Sequence, residues 1–455
     1  MTTPFGAPMR EHFLFDTNFK NLNHGSFGTY PRAVQTALRQ HQQDAEARPD
    51  LFYRVTRAQG IDKSRRIVAD LLKVPVNECV FVKNATTGVG TVIRNLAFQP
   101  GDAIIYFDTI YGAVEKGLFS VAESSPVQTR KIEYQLPISH DELVTRFREA
   151  VRTARADGLN VRVAVFDLIV SMPGVRFPFE TLVQVCRDEG ILSLIDGAHG
   201  IGHVPLDLGS LQPDFFTSNL HKWLFIPRGC AVLYVPQRNQ HLIRTTFPTS
   251  WGYIPPSTLT AITPAKPGKS SFEYLFEQIA TTDDTPWLCV PAAMKFRTEV
   301  CGGEDRIHAY LEKLANEAAD LVAQALGTEV MQEPGLKGGE VSQLRRCGLA
   351  TIRLPIAVVP NTTSTAAITR VAGGNNGTSF LRVQAAAVPA VCAWFQDTLL
   401  RRYETFVPVF RHGDWLWTRL SAQVYLEKSD FEWLAGVLKE CCARVKTEVG
   451  ETAKL

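Results

Sequence analysis

Between residues 79 and 235 short apolar runs alternate with amphipathic segments, and this alternation constrains the fold more than any other feature of the chain. CVFV (79–82), AIIYF (103–107), 127–132, RVAVFDLI (162–169), ILSLID (191–196) and CAVLYV (230–235) are rich in the β-branched and aromatic residues that suit buried strands. Between them, 88–98, 112–122, 139–156 and 179–189 repeat apolar residues at helical spacing. Strands alternating with helices imply an α/β fold, a mostly parallel sheet flanked by helices on both faces. Ligands of such sheets gather at the carboxyl ends of the strands. Asp167, Asp196 and Lys222 all follow strand-like runs, so they are expected to converge there.

Two charged helices, 31–48 and 52–73, precede this region. After Pro286 the pattern loosens into helices at 290–301 and 303–326, strand-like runs at 350–355, 405–410 and 415–421, and a closing helix over 429–445 with Ser429 as its N-cap. That order predicts a smaller C-terminal α+β domain. The expected division is an N-terminal segment (1–30) contributing to the site, a large domain (31–284) and a small domain (285–455). The Ala/Gly/Thr/Asn-rich stretch 360–379 reads as a loop or flap. A chain of 455 residues exceeds one simple core, and its 45% hydrophobic and 21% charged residues are ordinary for a globular protein. The net charge of +2 gives no support for a nucleic-acid or membrane partner. No apolar run approaches the ~20 residues needed to span a bilayer, and the first residues lack the apolar core of a signal peptide. Nine scattered cysteines without a CxxC argue for reduced thiols in a cytoplasmic chain, against a disulfide framework and against a metal site.

Within this frame the stretch TSNLHKWL carries Lys222, 26 residues after Asp196 in ILSLIDGAHG. A loop lysine is ordinarily solvated and a strand-end aspartate ordinarily caps a turn. Together, in this order, they fit the needs of pyridoxal phosphate: a lysine that holds the cofactor aldehyde as a Schiff base, and a carboxylate that keeps the ring nitrogen protonated. NATTG (84–88) lies between a strand and a helix start, where free N–H groups favour an anion; alone it reads equally as a capping turn.

These motifs, with LNHGSFG (22–28) and RLSAQVY (419–425), resemble the pyridoxal phosphate enzymes of fold type I, class V, over nearly the whole chain. Within that class the chain is most similar to the fungal carbon–sulfur lyases of ergothioneine biosynthesis, which act on hercynylcysteine sulfoxide. The resemblance implies that Lys222 bears the cofactor and that Asp196 meets its ring nitrogen. It assigns Ala85, Thr86 and His221 to the phosphate, with Asn219 or Ser218 beside them. Tyr111 occupies the place of a group stacked over the ring, and His199 that of a group near the phenolic oxygen. Arg419 takes the position of the fork that binds a substrate carboxylate. Asn23, His24 and Ser26 match a segment that closes over substrate. Thr281 matches a threonine that dimeric relatives donate to the neighbouring subunit's phosphate, so a homodimer with shared sites is implied. Ala280 and Thr282 stand where the usual pattern GTRD has Gly and Arg.

The same resemblance frames the reaction. Removal of an α-proton by Lys222 leads to an epimerase, an aminotransferase or a β-eliminating lyase. Desulfurases of the class use a loop cysteine, and 369–383 contains none. The expectation is therefore β-elimination from a cysteine-derived sulfoxide bearing a betaine and imidazole group, with Lys222 as base and Tyr111 as acid. Pyruvate and ammonia are the implied co-products. Aromatic faces attract a quaternary ammonium, and Phe27, Trp251, Tyr253, Trp415 and Trp417 are candidates for that contact. The rivals are an epimerase or aminotransferase on the same fold, or a non-enzymatic binding protein.

Overall fold

The computed structural model describes residues 2–255, 257, 268–361, 367–371 and 380–452. The first nine strands are β1 (Cys79–Val82), β2 (Asp102–Phe107), β3 (Gln128–Ile132), β4 (Asn160–Asp167), β5 (Ile169–Val170), β6 (Val175–Arg176), β7 (Leu192–Asp196), β8 (Phe215–Asn219) and β9 (Ala231–Tyr234). All but the β5–β6 hairpin join one seven-stranded sheet of order β1-β9-β8-β7-β4-β2-β3. β9 runs antiparallel to both neighbours, and the remaining pairings are parallel. Successive residues point to opposite faces of a strand, and here each face has its own core. Phe81, Ala103 and Ile105 enter one, whereas Val82, Ile104 and Tyr106 enter the other. That double burial is why these strands are continuous apolar runs.

A five-stranded sheet follows: β10 (Leu349–Val359), β11 (Ile368–Val371), β12 (Phe380–Gln384), β13 (Val409–His412) and β14 (Trp415–Ser421), in the order β11-β12-β10-β14-β13. The helix Glu304–Leu326 packs on β10 and on the closing helix Lys428–Thr452. The core on one face of the large sheet runs without a break into this layer. The first residues are tied there too. The Gly6 N–H donates to Val424 O at 2.8 Å, Lys20 pairs with Asp430, and His24 bonds to Tyr425.

Four local expectations change. The strand expected over 405–410 begins only at Val409, because Pro408 has no N–H for a ladder, and Thr405 instead forms a single bridge with Lys20. The stretch expected to be a loop or flap contains the short strand β11, too brief to show alternation; 362–366 and 372–379 lie outside the described residues. Lys222 sits on a helical turn, Leu220–Trp223, not in an open loop. Ser429 lies inside the closing helix and donates to Glu427, while Asp430 accepts the Glu427 N–H.

Candidate active site

β8 ends at Asn219 and runs straight into the turn that carries Lys222. The turn is fixed from behind. Arg297, fully buried, donates to Trp223 O at 2.8 Å and to Gly202 O at 3.0 Å. His24 bonds Lys222 O at 2.5 Å and Tyr425 Oη at 2.9 Å. Gly28 has φ +63°, and a Cβ there would lie 1.8 Å from His221 O, so only glycine allows the N-terminal segment this close to the turn.

Parallel pairing sets Asp167 at the end of β4 opposite Asp196 at the end of β7. Burial raises the pKa of both, and the Asp196 charge raises Asp167 further. Lys222 opposes the rise at each of them. Its own amine is pushed down to about 8, first by burial and then by the Arg419 charge. An amine so placed is a competent base near neutral pH. His199 is buried, 3.2 Å from Lys222 Nζ through Nε2, and burial holds it neutral.

At the phosphate end, Asn84 caps the helix Ala85–Asn95 by accepting the Thr87 N–H at 2.8 Å. The Ala85 N–H already donates to Asn219 Oδ1 at 2.9 Å, so its amide is not free for an anion, contrary to the expectation. Ser218 Oγ likewise accepts the Ile201 N–H at 3.0 Å. Thr86, exposed in the first turn, keeps an amide with no protein acceptor among the described residues. His221 Nδ1 lies 3.1 Å from Cys230 O. A carbonyl only accepts, so this nitrogen carries the proton. Burial pushes His221 down to about 4.

Arg419, at the end of β14, is 2% exposed and meets only neutral partners. It donates to Ser171 O (2.7 Å), Asn23 Oδ1 (2.8 Å) and Ser26 Oγ (2.9 Å), and its Nε is buried without an acceptor. A buried guanidinium without a carboxylate leaves an unneutralised charge, which suits an anionic ligand. Asn23 and Ser26 thus hold Arg419. His24 departs from the expectation: both of its ring nitrogens are consumed by Lys222 O and Tyr425, so it supports the lysine turn instead.

Tyr111 is 48% exposed at the start of the helix Gly112–Ser124. Thr281 is exposed and lines a surface cavity with Tyr53, Arg54 and Trp251. No hydrogen bond, ion pair or ring contact among the described residues links either one to Lys222. Trp417 is buried with its indole N–H on His412 O, and Trp415 lies beneath Arg353, so neither faces an open site; Phe27, Trp251 and Tyr253 are exposed. Sequence reasoning missed Trp223, Arg297, Ser171 and Tyr425. Trp223, adjacent to the lysine, and Tyr425, the last residue of RLSAQVY, carried some signal; Arg297 and Ser171 carried none.

These residues fit pyridoxal phosphate: an amine for its aldehyde, a paired carboxylate for a cationic ring nitrogen, and a helix N-terminus for its phosphate. Comparison with known proteins agrees. Residues 30–251 match the family model described as Aminotransferase class-V. The chain is 43% identical to the L-cysteine desulfhydrase-like protein lolT1 of Epichloe uncinata over 98% of both chains. It is 27% identical to the hercynylcysteine sulfoxide lyase of Schizosaccharomyces pombe over 96% of this chain and 98% of that one. A solved complex of the cystine C–S lyase C-DES with cysteine persulfide shares the fold, with a TM-score of 0.69 at 16% identity over 93% of this chain and 98% of that one. The chain therefore belongs to the class V aminotransferase family of pyridoxal phosphate enzymes.

Proposed function

We propose that this enzyme is a carbon–sulfur lyase that breaks the Cβ–S bond of a cysteine-derived amino acid. The observation that carries this reading is the pairing of a buried Arg419, free of any carboxylate, with a Lys222 amine pushed down to about 8. Arg419, held by Asn23, Ser26 and Ser171, takes the substrate carboxylate. Lys222 takes the α-proton, and the cofactor, when bound, supplies the electron sink. Loss of the sulfur substituent follows, with Tyr111 delivering a proton to it. Water then converts the three-carbon remnant to pyruvate and ammonia. The Thr86 amide holds the phosphate, Asp196 the ring nitrogen, and Asn219 orders the phosphate turn through the Ala85 N–H. His221, whose single proton is committed to Cys230 O, has no donor left for the phosphate and braces the lysine turn instead.

A cysteine desulfurase mechanism needs a thiolate. All nine cysteines are instead held as thiols by burial, including the half-buried Cys392. Two substrates remain within the lyase reading. A cysteine sulfoxide conjugate such as hercynylcysteine sulfoxide is supported by the 27% relative and by the exposed Phe27, Trp251 and Tyr253. Free cysteine is supported by the desulfhydrase-like relative at 43%. Purified enzyme offered each compound separately is expected to form pyruvate from the sulfoxide conjugate, without sulfide. Sulfide from cysteine alone would replace the sulfoxide substrate, and epimerised substrate without pyruvate would overturn the lyase. Lys222→Ala is expected to lose the visible absorbance of the lysine-bound cofactor.

A further inference from the structure

The tryptophan beside Lys222 bears on the state of its amine. Trp223 is wholly buried and its indole N–H lies 3.1 Å from His199 Nδ1. An indole nitrogen only donates. His199 Nδ1 must therefore be bare, and a neutral ring then carries its single proton on Nε2. That nitrogen is the one 3.2 Å from Lys222 Nζ. An Nε2–H meeting an ammonium sets hydrogen against hydrogen, whereas an Nε2–H meeting a free amine donates to its lone pair.

The indole is itself held in place. His203 stacks on Trp223 with ring centroids 3.6 Å apart and planes 10° apart. The Gly348 N–H donates to His203 Nε2 at 2.7 Å, so His203 Nδ1 carries the proton and donates to His199 O at 2.8 Å. One imidazole thus anchors both the tryptophan plane and the backbone of the other. Arg297 fixes the carbonyl of Trp223.

We propose that Trp223 is a positioning residue: its indole N–H locks His199 as the Nε2–H tautomer, and through that N–H keeps Lys222 as the free amine. The proposal rests on the assignment of Lys222 as the cofactor lysine. The charged groups facing Lys222 are Arg419, which favours the amine, and Asp196 and Asp167, which favour the ammonium. Burial also favours the amine, and the His199 N–H acts on the same side. Around His199 the neighbouring charged or titratable groups are Lys222, Arg419, His203 and His24, all of which disfavour an imidazolium.

The test uses the full-length chain with ring-15N histidine, both with its cofactor and after the cofactor is washed out. Nitrogen chemical shifts read the His199 tautomer directly, with His199→Gln assigning the signals. In the unmodified, cofactor-free protein Nδ1 is expected to be bare and Nε2 protonated; the reverse overturns the proposal, and this measurement needs no Trp223 variant. Competitive labelling with acetic anhydride then reads the basicity of Lys222 against the other lysines. Trp223→Phe keeps an aromatic ring over His203 and removes the donor. It is expected to populate the Nδ1–H tautomer and to slow Lys222 labelling at neutral pH by roughly tenfold, the change for one pKa unit. In a His199→Leu background, whose side chain can neither donate nor accept, Trp223→Phe is expected to change labelling little. Equal labelling of Lys222 with and without the indole donor, or an equal fall in both backgrounds, overturns the relay. If the cofactor band survived in Lys222→Ala, the lysine assignment would fail while the tautomer result stood on its own.

Discussion

Arg419 shows at the scale of one residue how function departs from stability. Burying a cation among neutral partners carries a desolvation cost that no carboxylate offsets. Its basicity falls to about 10 for that reason. Arg419→Met, similar in length and apolar, is therefore expected to leave the melting temperature unchanged or raised. Loss of charge-assisted hydrogen bonds worth roughly 1.5–3 kcal/mol each should lower kcat/KM on the order of 100-fold or more. Thermal melts and steady-state kinetics on the same preparation check this; a collapse in melting temperature with intact catalysis would make the guanidinium structural. Much of this site was legible from residues alone. Asp196 closes a run that the strand pattern marks, whereas Lys222, which follows the half-polar β8, and Arg419, inside β14, were singled out by the motifs that resemble class V enzymes. Arg297 and Ser171 did not show, because they reach the site from distant points of the chain, and nothing local in sequence marks a hydrogen bond across more than 70 residues. Tyr425 stood in a recognised motif, but its bond to His24 did not show.

Elements transmit what single residues require. The lysine turn, the segment from Asn23 to Gly28 and the β5–β6 hairpin meet so closely that small residues set their spacing. A Cβ on Gly174 would press on Arg419 Cδ at 2.8 Å, and one on Gly28 would overlap the carbonyl of His221. Gly28→Ala is expected to destabilise the chain by roughly 2–4 kcal/mol, from backbone strain at positive φ together with overpacking. It should also weaken cofactor retention, because the displaced carbonyl belongs to the turn that bears Lys222. Gly436→Ala, in the closing helix with open space around it, is the control and is expected to be neutral or slightly stabilising. Denaturant midpoints and absorbance of the bound cofactor distinguish the two. Most of the large sheet was readable because its central strands are buried on both faces and form unbroken apolar runs; β8 (FFTSN) escaped because half of it is polar, and the edge strand β3 (QTRKI) is partly exposed. The small sheet was less so. β13 is cut short by Pro408, and β11 is a four-residue edge strand with two exposed positions.

Across the whole molecule, a cluster of imidazoles kept neutral by burial makes the fold sensitive to acid. His24 is pushed down to about 3, His221 and His308 to about 4, and His199 and His203 well below their ordinary 6.5. Between those values and 6.5 the unfolded chain binds more protons, so stability is full above about 6.5 and falls as pH drops toward 4. Asp167 and Asp196, raised by burial, act with the opposite sign. Each group that titrates in this range changes the slope by about 1.4 kcal/mol per pH unit, and the lowered histidines outnumber the raised aspartates. A lower denaturant midpoint at pH 5.5 than at pH 7.5 is expected for the cofactor-free chain, and equal midpoints would mean these rings are not buried as neutral groups. Thr281 is where we propose that a second chain enters. It lies exposed in a cavity beside Trp251, itself 84% exposed, and shares no hydrogen bond with Lys222 among the described residues. If its partner is the phosphate of a neighbouring subunit, a Lys222→Ala chain mixed with a Thr281→Glu chain should regain activity that neither shows alone. In the mixed dimer one site combines the intact lysine of the second chain with the intact threonine of the first. Were Thr281 to serve the site of its own chain, every site in the mixture would carry one lesion, and no activity would return.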